Sequence, residues 1–190
     1  ITINGIYDRA LTPNRIAPDT RFRFKILDRF KEHLILLYTF EDGGGRLIRD
    51  VSEVDPTIDL EIQNTEHIEW GNGSLTFSNP TVAKSTESQK IKDRCQRSNE
   101  ITIEAWIRPA SANQRGPARI VSFSQNAYER NFTLGQTEQG VQVRLRTTIT
   151  GTNGMEPALE GSTPLHDELT HLVYTRTASG SAQLYINGQE

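Results

Sequence analysis

The chain holds a single cysteine, Cys95, and a single methionine, Met155. One cysteine allows no intrachain disulfide and no cysteine-based zinc site. Long apolar runs are missing too. The longest, Leu34–Tyr38, falls far short of the ~20 residues that a membrane helix needs, so no membrane span is expected. A surplus of positive charge is also lacking: 21 basic and 24 acidic side chains leave a net charge of −3. General nucleic-acid binders usually carry a basic excess, so no nucleic-acid partner is expected. The one basic stretch, RFRFKILDRFK over 21–31, reads as phosphate contacts with stacking platforms, or as a strand with an apolar face (Phe22, Phe24, Ile26) and a solvated basic one. The second reading is preferred, because nothing else in the chain extends the basic surface. No initiating methionine is present, since the chain opens Ile1-Thr2-Ile3-Asn4. That start predicts a processed chain or an excised piece.

What the chain does have is period-2 patterning. With 190 residues, 35% hydrophobic and 24% charged, it suits one large domain with a packed core better than two small ones. Val141, Val143 and Leu145 alternate with Gln142, Arg144 and Arg146, and Thr147–Thr150 prolongs the run. Ile101, Ile103 and Ala105 alternate with Thr102, Glu104 and Trp106, and His171–Arg176 and Gln183–Ile186 read the same way. Such segments predict half-buried strands. Between them lie Asn-Gly pairs at 4–5, 72–73, 153–154 and 187–188, Asp-Gly at 42–43 and Ser-Gly at 179–180, residues that tolerate the positive φ of hairpin turns. The pattern predicts an all-β, antiparallel sandwich or barrel. Thr86–Arg97, free of Gly and Pro, is predicted to form a short surface helix or an ordered loop. On a helix, Ile91 and Cys95 would share one face as packing contacts.

Five stretches carry a resemblance. Leu36–Ser52 (LLYTFEDGGGRLIRDVS) reads as an aromatic-rich opening strand running into an acidic Gly-rich turn and an Asp-x-Ser; Glu100–Pro109 (EITIEAWIRP) holds a Glu-Ala-Trp core; Asn131–Thr148, His171–Arg176 and Leu184–Gly188 follow in order. Together they resemble the laminin-G-like domains of the concanavalin A-like lectin/glucanase superfamily. The resemblance implies a jelly-roll sandwich of two curved antiparallel sheets over 34–190, and an extracellular or cell-surface setting. Ile1–Ile16 (ITINGIYDRALTPNRI) resembles the segment that closes such a domain, here displaced to the front, with 17–33 as a connecting strand or linker. Either 1–16 ends a preceding domain, or it closes this one as a permuted or neighbour-supplied strand. On both readings the sandwich over 34–190 is incomplete or strand-exchanged, lacking its own C-terminal closing strands. An unfilled place in a sheet invites a strand from another copy.

Chemistry-bearing residues were sought against that background. Retaining glycosidases need two carboxylates about 5 Å apart. The nearest approach to the Glu-x-Asp-x-x-Glu motif of enzymes that share the fold is Glu53-Val54-Asp55, whose third position is Ile58; Asp59 and Glu61 share a strand face without a third partner. A lyase would need groups such as His171, Tyr174, Arg144 and Arg146 to converge. No catalytic residue is expected. Asp42 and Asp50 flank Gly43-Gly44-Gly45 and are the candidate ligands for Ca²⁺, which takes hard oxygen donors and which relatives bind near this position. The alternative puts Asp42 in a turn and Asp50 on the backbone N–H groups of the next loop. Candidate ligand-binding residues are Trp70, Asn72, Tyr128, Gln142, Arg144 and Arg146: exposed aromatics and planar hydrogen-bonding groups suit a glycan. Trp70 would otherwise plug the sandwich end, and the arginines would keep a sheet face solvated. Trp106 is expected in the core. Asn72-Gly73-Ser74 and Asn131-Phe132-Thr133 fit the N-glycosylation pattern.

Three functions follow: a noncatalytic extracellular adhesion module for a glycan or surface protein, with or without Ca²⁺; a structural module assembling with copies of itself by strand complementation; and, disfavoured by the absent carboxylate, a glycan-active enzyme.

Overall fold

The computed structural model describes residues 31–155 and 157–190, and the chain divides into two compact units, 1–34 and 35–190. The closing-segment reading of 1–16 and nearly all of the basic segment 21–31 lie outside the described residues.

The strongest alternating segments become the strands that build the core. β6 (Ile101–Ile107), β11 (Thr170–Arg176) and β12 (Ala182–Ile186) form an antiparallel sheet in the order β12-β11-β6. A second antiparallel sheet runs β10-β9-β8-β7, from β7 (Ala118–Ser124), β8 (Arg130–Thr137), β9 (Gly140–Leu145) and the short β10 (Leu159–Glu160). Their inward residues meet in one cluster. Ile103, Leu172, Tyr174 and Leu184 come from the first sheet; Phe132, Leu134, Val141 and Val143 come from the second; Leu165 joins them from a loop. Phe123 meets Phe132 edge to face, with ring centroids 6.1 Å apart. Each fully buried aliphatic side chain here contributes about 1.5–3 kcal/mol, which makes this cluster the main source of stability. Two sheets around one apolar layer are the sandwich that the alternation predicts.

Smaller elements precede the sandwich. β1 (Leu47–Ile48), β2 (Leu60–Ile62) and β5 (Ala83–Lys84) form a three-stranded sheet in the order β1-β2-β5. β3 (Ile68–Gly71) and β4 (Ser74–Phe77) form a hairpin turned by Asn72-Gly73. The predicted helix is α1 (Gln89–Ser98), closed by Asn99 in the left-handed region, whose N–H donates to the Cys95 carbonyl. Ile91 packs on the core cluster, and burial raises the Cys95 thiol pKa, which keeps it a packing residue. Two expectations are corrected. Only Leu47–Ile48 of the Leu36–Ser52 stretch is strand. The β9 run ends at Leu145, because Thr150 turns its hydroxyl onto the Leu145 carbonyl at 2.6 Å and takes the Thr147 N–H at 2.8 Å; Thr side chains compete with the ladder in this way.

One buried ion pair ties the parts before β6 together. The side chains of Lys90 and Asp50 are 4% and 0% exposed, with Nζ 2.6 Å from Oδ2. Asp50 Oδ2 also accepts the Ile58 N–H at 3.1 Å, and Oδ1 accepts those of Leu37 and Ser52 at 3.2 and 3.0 Å. Lys90 reaches on to the Val54 carbonyl at 2.7 Å. Burial pushes the Asp50 carboxyl pKa up, but the Lys90, Ser52 and Ile58 donors outweigh that and hold it below the ordinary range.

Removing one partner strands the other charge, so Lys90→Ala is expected to cost about 3–5 kcal/mol in urea unfolding followed by tryptophan fluorescence. Because the folded-state pKa of Asp50 is depressed, its contribution is complete above the unfolded carboxyl value of about 3.9 and is lost as pH falls through the folded value. Asp50→Asn is therefore expected to show a shallower loss of stability below about pH 4 than the parent. Equal slopes would refute this.

Candidate functional site

The four-stranded sheet has a second face, turned away from the core, and strand register maps it row by row. Arg119, Gly135, Gln142 and Glu160 lie across β7, β8, β9 and β10 in one row. Ser122, Thr133 and Arg144 make the next, and Ser124 pairs with Arg130 in the third. Arg130 has the same parity as Phe132 and Leu134, which point into the core. A bulge brings it out: Phe123 pairs with Phe132 but Ser124 pairs with Arg130, leaving Asn131 as the extra residue. Such a bulge re-aims the flanking side chain.

The polar groups of this face are linked. Gln142 Nε2 donates to Glu160 Oε1, and Arg144 Nε donates to Gln142 Oε1, both at 2.6 Å. The Ser122 and Thr133 hydroxyls are 2.7 Å apart, and Ser122 also reaches Ser124 at 3.1 Å. Arg130 donates from Nη1 to the Thr133 hydroxyl at 3.3 Å and from Nη2 to the Ala127 carbonyl. The next residue after Ala127 is Tyr128, held in the β7–β8 connection by the Asn126 side chain and 77% exposed. Burial, then the charges of Arg144 and Arg119, lower the Arg130 pKa; burial lowers that of Arg144, partly offset by Glu160. The face thus combines hydroxyls, a primary amide and guanidiniums, with an exposed tyrosine on the adjoining connection.

The structure sorts the expected site residues into groups. Gln142 and Arg144 come together here, with Tyr128 on the adjoining connection. Arg146 lies just past the end of β9 with its N–H on the Asn131 carbonyl at 2.7 Å, its side chain exposed. Trp70 and Asn72 belong elsewhere. Trp70 is on strand β3 rather than a loop, because Asn72-Gly73 folds that segment into a hairpin. Its indole N–H donates to the Gly45 carbonyl at 3.2 Å, and it lines an open recess of about 370 Å³ with Gly45, Arg46 and Thr65. Asn72 is exposed at the turn and Asn131 is exposed on β8, as acceptors of N-glycosylation must be, but Thr133 of the second motif is 0% exposed. Sequence reasoning missed Arg119, Arg130 and Glu160. Arg119 and Glu160 lie on strands whose positions only the register reveals, and Arg130 reaches the face only through the bulge.

Trp106 corrects an expectation. It is 57% exposed on the outer face of the three-stranded sheet, stacked on His171 with centroids 4.3 Å apart; His171 Nε2 lies 2.9 Å from Glu104 Oε1. Its parity with Thr102 and Glu104 puts it there, and that outweighs its size. The lyase constellation does not converge: His171 and the core residue Tyr174 face opposite sides of β11, and Arg144 stands on the other sheet. Asp59 accepts the Asp50 N–H at 2.9 Å and Glu61 pairs with Arg46 at 2.8 Å.

Asp42 and Asp50 do not fit a calcium site. Asp42 is bonded to the Arg49 guanidinium at 3.0 Å and to its N–H at 3.4 Å. Asp50 has both oxygens doubly engaged by N–H donors, one of them cationic, which fills its acceptor positions. Among the described residues, no three His, Cys, Asp or Glu side chains gather as metal ligands. The thermal midpoint is accordingly expected to stay the same when calcium is added or chelated; a calcium-dependent rise would show binding to the folded state.

Comparison with known families gives one match: a model described as the concanavalin A-like lectin/glucanases superfamily, of laminin-G type, aligns with residues 65–190. Comparison with curated proteins and with solved structures gave no match.

Proposed function

This chain belongs to the concanavalin A-like lectin/glucanases superfamily, and from that premise we propose that it is a noncatalytic, extracellular binding module for a saccharide. Its ligand lies on the polar face of the four-stranded sheet. The observation that carries this reading is the continuous array of Glu160, Gln142 and Arg144 across neighbouring strands. Sugar hydroxyls both donate and accept, and they pair best with planar groups that are already oriented. Gln142, 7% exposed and held at both ends, fixes Arg144 and Glu160 on either side of it, so that these two meet a ligand with little further loss of side-chain entropy. The exposed ring of Tyr128, on the connection that joins β7 to β8, offers a flat apolar surface on which the C–H face of a pyranose packs. The noncatalytic reading is supported by the engagement of Asp59 and Glu61 with other parts of the protein.

The test is a glycan array followed by calorimetry. Arg144→Ala removes a charged donor, each such bond being worth about 1.5–3 kcal/mol, so affinity is expected to fall ten- to a hundredfold. Tyr128→Ala is expected to weaken binding as well, while Trp70→Ala leaves it unchanged. Binding lost on Trp70→Ala and kept on Arg144→Ala would move the site to the recess beside β3. Release of reducing or unsaturated ends from bound polysaccharide would overturn the noncatalytic reading.

A further inference from the structure

The outer face of the three-stranded sheet leaves two large apolar side chains in water: Trp106 and Leu169 are each 57% exposed. Strand register arranges this face in rows. Trp106 lies beside His171 across β6 and β11, and Glu104 lies beside Val173 in the next outward row. One step beyond the last pair, Ile107 with Thr170, Arg108 comes opposite Leu169. Arg108 keeps the parity of Glu104 and Trp106 and is exposed, with no hydrogen-bond or ion-pair partner among the described residues. Along β6 the outward order is therefore acid, aromatic, base, at steps of about 7 Å. Alongside it run Val173, His171 and Leu169, an aliphatic side chain on either side of the imidazole.

That order is complementary to itself. A two-fold axis lying between two such faces and crossing β6 at Trp106 reverses each strand against its copy. It keeps β6 over β6 and β11 over β11, within the rotation of about 30° at which twisted sheets pack. Glu104 of one copy then faces Arg108 of the other, twice, and Val173 faces Leu169, twice. Trp106 and His171 stand at the axis, where the rings of the two copies interleave. An isologous contact requires a patch to match itself in this way, and Trp and Arg are enriched where interfaces are energetically strongest. Glu104 already meets His171 at 2.9 Å, but a carboxylate accepts more than one donor. A different protein would need no such reciprocal order, so the order favours a second copy. We propose that this face forms a two-fold homodimer, sheet against sheet, with paired Glu104–Arg108 contacts around a Trp106 centre. No strand is exchanged. The inference is independent of the saccharide reading and adds to it: the four-stranded sheets end outermost, so the dimer presents two polar faces pointing in opposite directions. A face three strands wide is small beside the ~800 Å² a side of a standard interface, so the dimer is transient, with a dissociation constant expected on the order of 100 μM.

The experiment is sedimentation equilibrium of the full chain over a concentration series that brackets that value. Expected is a reversible monomer–dimer equilibrium, weakened at least about tenfold by Arg108→Glu and by Glu104→Arg, since each sets like charges against one another twice. Trp106→Ser is expected to abolish it. The two charge variants mixed together are expected to form a heterodimer as tight as the parent dimer, because each supplies the sign that the other lacks. A variant that had merely failed to fold would not be rescued by mixing. A chain that stays monomeric through the whole series leaves the face to another partner and overturns the dimer. A dimer untouched by Trp106→Ser or by either charge variant places the contact elsewhere and overturns it as well. So does a mixture in which the two charge variants stay apart.

Discussion

A carboxylate and an ammonium, both out of water and 2.6 Å apart, organise the segment 37–58 and join it to α1. Asp50 gathers the N–H groups of Leu37, Ser52 and Ile58, and Lys90 adds the Val54 carbonyl. Tyr38 extends the arrangement by donating its hydroxyl to the Ile58 carbonyl at 2.6 Å, and burial followed by the charges of Asp50 and Asp59 raises its pKa. The segment 37–58, whose only strand is the two-residue β1, cannot hold itself by ladder bonds. Here an ion pair with every acceptor position filled replaces them, fastening 37–58 to the first turn of α1. Because α1 leads through Asn99 directly into β6, the fixed helix also sets where the sandwich begins. The same carboxylate, had it been left half-satisfied, would have been a reasonable cation ligand; its completeness makes it structural.

The two outward faces of the sandwich differ in kind. That of the three-stranded sheet presents a Trp106–His171 stack with Glu104 at its edge. That of the four-stranded sheet is polar yet largely shielded, with Thr133, Arg130 and Gln142 all under one-tenth exposed. Polar side chains shielded on the side of a sheet away from the core require partners, and the rows of hydroxyl, amide and guanidinium supply them.

How much of this was legible in the chain follows from what each inference required. The strands of the core could be read because period 2 is a local property, and so could α1, whose stretch lacks Gly and Pro. Trp106 shows the rule being set aside: its parity with Thr102 and Glu104 already placed it outside, and only its bulk suggested the core. Lys90 was not legible, because a buried lysine is defined by a partner 40 residues away and nothing local distinguishes it from Lys92 on the same helix. The pairing of Gln142 with Arg144 followed from alternation, but Glu160 did not, since a two-residue strand has no period to read. Arg130 was concealed for the opposite reason, as its period was regular and its structure was not.

That irregularity has a further consequence. A bulge is ordinarily a weak point in a ladder, able to migrate or to be ironed flat. Around Asn131 it is pinned by the neighbouring residue. Restoring regular pairing with Ser124 would put Asn131 opposite it and turn the Arg130 side chain to the side of Phe132 and Leu134. A guanidinium would then enter the apolar layer between the sheets, where nothing could compensate its charge. The competing register is therefore excluded by what it would bury. One arginine performs two tasks: it charges the outer face and polices the alignment of the central strand.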